Sequence, residues 1–264
     1  MKEIFRILKA FDEHCIDDRQ AVLITLVNTE GSTYRHSGAR ALYTSEGGLV
    51  GLVGGGCIEK YIAKHAEKVL QRYQPRVISY DNFDVDHDLV WGFGLGCAGA
   101  ITMYLEPVSQ ASPGSIEALR HAYQNDEPCF LVLELAEELE SRQLYWYPEP
   151  RVAELKQHNQ LVQNLPDNMG CRFVSQESRN WFVEKIQPPQ RLLVFGAGVD
   201  AVAVTDIADM LGWRVHLIDH RQSYAQIERF PKVDSIHCLQ PEQGFEGLSI
   251  TKGCAAIVMT HHYK

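Results

Sequence analysis

The run RLLVFGAGVDAVAVTDIADMLGWRVHLIDHR, residues 191–221, decides the fold of its half of the chain. An apolar stretch, Leu192 to Phe195, enters Gly196-Ala197-Gly198-Val199-Asp200-Ala201. A helical pattern follows to Leu211, and a second β-rich stretch ends at Asp219. That order is G-x-G-x-x-A inside a βαβ unit. Gly196 permits the tight turn, Gly198 lets a pyrophosphate touch the backbone, and the small Ala201 lets helix and strand pack closely. Unpaired N–H groups at the helix start favour an anion. Asp219 falls 21 residues after Gly198, where a carboxylate accepts hydrogen bonds from ribose hydroxyls; Arg221 would suit a 2′-phosphate, so NAD and NADP are both open. A turn in a doubly wound domain that holds no nucleotide is the alternative. Asp200 would repel a pyrophosphate lying directly above it.

Outward from this run, QPPQ at 187–190 reads as a linker, because paired prolines neither donate backbone hydrogen bonds nor continue a helix or central strand. The expected organisation is a mixed α/β domain over 1–186 and a Rossmann-like doubly wound domain over 191–264, and 264 residues are enough for two such cores. The composition is 45% hydrophobic and 22% charged, near the globular average. A formal net charge of -9 argues against general attraction to nucleic acid. MKEIFRILKAFDEHC has helical spacing but no uninterrupted apolar core of a signal peptide, and no long apolar run suggests a membrane span, so the cytoplasm is the default compartment. Seven scattered cysteines without a C-x-x-C pair fit reduced thiols.

In the first domain, Ile4, Ile7, Leu8 and Phe11 mark an opening helix, and AVLITLVN (21–28) reads as a buried strand. ARALYTSEGGLVGLV (39–53) reads as a hairpin turning at Glu46-Gly47-Gly48. The spacing from Ile58 to Tyr73 predicts a helix ending before Pro75. RVISY reads as a strand, AITMYLEP (100–107) as a half-buried one, and a further helix is expected over Ile116 to Tyr123. Strands follow at 130–135 and 144–147, and others near Arg172 and Trp181.

Two loops share one design, GLVGGGCIEK (51–60) and GFGLGCAGA (92–100): glycines, then a thiol. Gly54, Gly55 and Gly56 before Cys57, and Gly96 before Cys97, would expose main-chain N–H groups able to nest an anion. Cys57 at a helix start should ionise more easily, and a thiolate is a good soft-metal ligand and sulfur-handling nucleophile. Buried, inert cysteine is the ordinary alternative.

The run Glu30-Gly31-Ser32-Thr33-Tyr34-Arg35-His36-Ser37-Gly38-Ala39-Arg40, followed by GGGCIE and GLGCAGAITMYLEP, resembles the XdhC/CoxI family of xanthine dehydrogenase accessory factors, and RLLVFGAG with VMTHH resembles that family's Rossmann-like domain. The resemblance implies an accessory protein that binds molybdenum cofactor and supports its sulfuration and insertion into a molybdenum hydroxylase such as xanthine dehydrogenase. It further implies a sulfur-donating desulfurase as a partner, leaves a homodimer open, and makes the chain a cofactor-insertion factor rather than an enzyme with catalytic residues of its own. On that reading the glycines admit the cofactor, Arg35 or Arg40 meets its phosphate, and Cys57, then Cys97, meets metal or sulfur. Arg40 as partner of an acidic side chain is the competing reading. Ala98 departs from the family's second loop. Against the family pattern the Rossmann-like half looks cut short after MTHHYK, which leaves a fragment, a truncated product or a divergent member.

The rival readings are an NAD(P)-dependent oxidoreductase in which Gly196, Gly198 and Asp219 hold the nucleotide and a first-domain cysteine assists, and a nucleotide-binding regulatory module. No acid–base set accompanies the fingerprint, which counts against the first. Asp84, Asp86 and Asp88 do not make a calcium loop, since positions six and twelve would be Leu89 and Leu95. His65 reads as a satisfied core histidine, and His261-His262 as a loop end.

Overall fold

The computed structural model describes residues 2–56, 58–81, 99–136, 144–148, 170–176, 179–240, 242, 247–248, 250 and 253–260. The chain divides into two compact units, one of Ile4–Pro188 and one of Pro189–Lys264 together with Met1–Glu3.

The first unit is built on a five-stranded antiparallel sheet with the order β3-β2-β1-β5-β4. Its strands are β1 (Ala21–Gly31), β2 (Arg40–Thr44), β3 (Gly48–Gly51), β4 (Arg76–Asp81) and β5 (Gly99–Val108). The β2–β3 hairpin turns where expected, with the Gly47 N–H donating to Thr44 Oγ1 at 2.9 Å. Alternate residues of β1 enter two different cores. Val22, Ile24 and Leu26 join the cluster under helix α2 (Glu59–Arg72), whose Ile62, Ala66 and Val69 are buried. Leu23 and Val27 join the opposite cluster, formed with helix α1 (Lys2–His14) through Ile7, Leu8 and Phe11, and with helix α3 (Ile116–Asn125) through Ile116, Leu119 and Ala122. Burying each such large aliphatic side chain stabilises by roughly 1.5–3 kcal/mol.

The half-buried expectation for AITMYLEP therefore needs correction. From Met103 to Val108 every residue of β5 is buried, because a central strand of a sheet covered on both faces has no wet side. His65 is corrected too. It is half-buried beside Tyr61, with ring centroids 4.6 Å apart, and its Nδ1 has no hydrogen-bond partner among the described residues. Burial first, then the cations Arg76, Lys68 and Lys64, hold its pKa below the ordinary value.

A second antiparallel sheet closes the α1 side. It comprises β6 (Cys129–Glu134), β7 (Leu144–Pro148), β8 (Cys171–Gln176) and β9 (Arg179–Ile186) in the order β7-β6-β9-β8. Leu131, Leu133, Phe182 and Ile186 enter the same cluster as α1 and α3.

The second unit carries β10 (Arg191–Phe195), helix α4 (Val199–Met210), β11 (Arg214–Asp219), β12 (Ser235–Cys238) and β13 (Ala255–Val258). Its sheet is parallel, with the order β12-β11-β10-β13, the 3-2-1-4 arrangement of a doubly wound fold. Leu192, Val194, Ala201, Val215 and Leu217 fill its core. The α/β architecture read from the sequence, with a Rossmann-like second half, is the observed one.

Candidate functional site

The β1–β2 loop begins at Gly31 and is tied back to its own strand. Gly38 N–H donates to the Leu26 carbonyl at 2.8 Å, Leu26 N–H to the Ala39 carbonyl at 2.9 Å, and Thr33 Oγ1 to the Arg35 carbonyl at 2.9 Å. The described flanks of both glycine–cysteine loops touch this segment. Gly99, which opens β5 directly after GLGCA, is the register partner of Gly31, and a Cβ there would run into the carbonyls of Glu30 and Ser32. A Cβ at Gly55 would stand 3.6 Å from Cγ and Cδ2 of Tyr34. Cys57, Gly96 and Cys97 lie outside the described residues, as do Asp84, Asp86, Asp88, His261 and His262.

The three glycines before Cys57 differ in what they are for. Gly54 is buried, and a side chain there would meet Ile58 at 2.6 Å, so its small size serves helix packing. Gly55 leaves an ordinary van der Waals space beside Tyr34. Gly56 has φ +99 and open space around it, the one position of the three where a left-handed backbone demands glycine and nothing of the described protein stands above it. An anionic group has access to the main chain there.

Arg35 is half-buried in the same loop. Arg40 is elsewhere engaged. It opens β2, donates through Nη1 to Glu184 Oε1 at 3.0 Å and to the Gly38 carbonyl at 3.1 Å, and pairs through Nη2 with Glu184 Oε2. Its side chain is 2% exposed and that of Glu184 is 11% exposed. The acidic-partner reading describes this geometry, since a fork locked onto one carboxylate has little left for a phosphate. Glu184, 144 residues away, carries no local signal in the sequence. Tyr34 has no role of its own in the sequence reading; the cue to it is an aromatic residue placed in a polar loop.

The described thiols near this pair are held protonated. Burial first, then the Glu184 charge, pushes Cys129 to about 12 and Cys171 to about 11; burial likewise raises Cys15 to about 11. Such thiols are poor nucleophiles at neutral pH.

In the second unit Gly196 has φ +116, and a Cβ would lie 2.9 Å from the Met259 carbonyl carbon and 3.1 Å from Thr260 N. Its N–H donates to the Ile218 carbonyl at 2.8 Å. Gly196 therefore serves strand packing. Gly198 caps α4 in an extended conformation with no side-chain cap bond and nothing within 4 Å of a would-be Cβ. Asp219 differs from the ribose acceptor of the sequence reading. Its carboxylate is 1% exposed and accepts from Ala197 N–H at 2.6 Å, from Arg221 N–H at 2.8 Å, and from Arg221 Nε and Nη2 at 3.0 and 2.8 Å. Burial opposes its charge, but the Arg221 and backbone hydrogen bonds overcome this and hold its pKa at about 2. Arg221 Cζ also sits 3.8 Å from the Tyr224 ring centroid. A carboxylate so enclosed anchors the loop from within, and the described geometry gives the NAD or NADP reading no exposed ribose acceptor at Asp219.

Residues 16–81 match the XdhC and CoxI family, and residues 192–264 match the XdhC Rossmann domain. The chain is 30% identical over 253 residues to a probable xanthine dehydrogenase subunit of Bacillus subtilis (strain 168), covering 94% of this chain and 74% of that protein. It is 26% identical over 213 residues to the molybdenum cofactor insertion chaperone PaoD of Escherichia coli (strain K12), across 81% of this chain and 57% of that one. Its fold superposes on the crystal structure of a xanthine dehydrogenase from Bacillus halodurans with a TM-score of 0.71 and 25% identity, across 97% of this chain and 74% of the other.

Proposed function

The chain belongs to the XdhC and CoxI family, and from that membership we propose that it is a maturation factor that binds molybdenum cofactor and passes it to a molybdenum hydroxylase such as xanthine dehydrogenase. The observation that supports this most directly is the meeting of Gly99 and Gly55, flanks of the two glycine–cysteine loops, on the single segment Glu30–Tyr34. A bound molybdenum cofactor supplies a phosphate-bearing pterin and a dithiolene-held metal. The main chain at Gly56 and the guanidinium of Arg35 suit the phosphate end. Cys57, with Cys97 second, is assigned to the metal or its sulfur, because thiolates favour soft metals. Sulfuration before transfer would draw on a desulfurase, and the whole exchange would take place in the cytoplasm.

The test is purification from cells that make the cofactor, oxidation of the extract, and measurement of fluorescent pterin. Wild type should retain it and Cys57→Ala should lose most of it. A wild-type protein without pterin would remove the proposal. Among the described residues no helix is long and apolar enough to cross a membrane.

A further inference from the structure

We infer that Tyr34 is a binding residue for the cargo, an aromatic platform on which the flat fused ring of a pterin rests at the mouth of the glycine loop. The inference deepens the molybdenum-cofactor reading and rests on it. Tyr34 is 64% exposed and joins none of the hydrophobic clusters formed by the described residues, although a large aromatic ring gains most from burial. The ring stands at Gly55: Cβ, Cγ and Cδ2 of Tyr34 are the three atoms nearest to where a Gly55 side chain would be, at 3.6–3.9 Å. Because Gly55 has none, the ring beside the loop stays bare.

The loop that carries Tyr34 is preorganised. Thr33 Oγ1 fixes the Arg35 carbonyl, and the Gly38 and Leu26 N–H bonds clamp its far end to β1. An aromatic side chain on a tied loop offers a large contact area with few side-chain torsions to immobilise. Ser32, in the same loop, is met by Gly99. Tyr34 thus sits on the segment shared by the flanks of both loops and stands at Gly55, the residue before Gly56, whose backbone is open. Anion at the main chain and ring on the aromatic face are the two ends of one ligand, a phosphorylated pterin. Stacking of a heterocycle on an aromatic side chain needs a π-face and not the hydroxyl.

The experiment is equilibrium binding of molybdenum cofactor, released anaerobically from a purified molybdenum hydroxylase, to wild type and to Tyr34→Phe, Tyr34→Leu and Cys57→Ala, read as retained fluorescent pterin after oxidation. Tyr34→Phe should bind within about twofold of wild type, and Tyr34→Leu about tenfold more weakly. A metal-free oxidised pterin should show the same dependence on Tyr34 and none on Cys57. Equal binding by wild type and Tyr34→Leu would overturn the platform while leaving the maturation role standing. Loss in Tyr34→Phe equal to that in Tyr34→Leu would overturn it in favour of a hydroxyl contact. Absence of binding by wild type would overturn both.

Discussion

Arg40 with Glu184 in the first unit and Arg221 with Asp219 in the second are made of the same two groups, and each steadies a loop that contains glycine. Arg40 reaches the Gly38 carbonyl, and Asp219 receives the Ala197 N–H. They differ in what surrounds them. Both partners of the first pair are buried and come from different sheets; in the second only the carboxylate is buried, and the arginine two residues on is 42% exposed. A pair enclosed on both sides is costly to break and local in effect, because removing one partner strands a charge without water. A pair with one wet member can exchange protein contacts for solvent. The difference teaches that the first unit's loop depends on both buried members of its pair and the second unit's loop on the buried carboxylate, with Arg221 the one member in contact with solvent, even though the exposed glycine face and Tyr34 belong to the first.

The hardest test of that contrast is Glu184→Ala. It leaves Arg40 buried and unpaired, and should destabilise the first unit by about 4 kcal/mol in urea unfolding; a loss below about 1 kcal/mol would mean that water reaches the pair. Gly196→Ala forces a side chain onto the Met259–Thr260 backbone at positive φ and should destabilise the second unit by about 3 kcal/mol, read as a lowered thermal midpoint. Asp219 comes next. Its folded pKa lies below its unfolded value, so its contribution, about 2 kcal/mol, is fully present above about pH 4 and fades as pH falls toward about 2. Asp219→Asn should flatten that part of the stability profile, whereas an unchanged slope would assign the acid sensitivity to other carboxylates. The smallest effects belong to the open loop. Gly56→Ala should cost about 1 kcal/mol through backbone strain alone, and Gly55→Ala less than about 0.5 kcal/mol, with the cofactor-binding loss exceeding the stability loss in both.

Much of the fold was legible in the residues because the signals were local. The β10–α4–β11 run, the α2 periodicity and the β2–β3 turn each depend on neighbours within a few positions. The covering of β5 on both faces was not legible, since it depends on a sheet formed by residues 129–186 whose own strands carry weak patterns. The same separation along the chain hid Glu184 from Arg40. In the site, the glycine loops announced themselves, but their separate reasons did not: Gly54 answers to Ile58, Gly196 to Met259, and Gly56 to its own torsion. Asp219 matched the spacing of a ribose acceptor, yet spacing carries no information about which way a carboxylate is enclosed.

The distance between Arg40 and Glu184 also bears on how the protein is made. On the ribosome β2 emerges long before β9, so the nascent first sheet carries a cation at a position whose counter-charge has not been synthesised. Complete burial of that position must wait for the second sheet. Until then the growing chain leaves uncovered part of the apolar face that Leu23, Val27 and Leu42 share in the finished core with Leu131 and Phe182, and surface of that kind is prone to aggregate during synthesis.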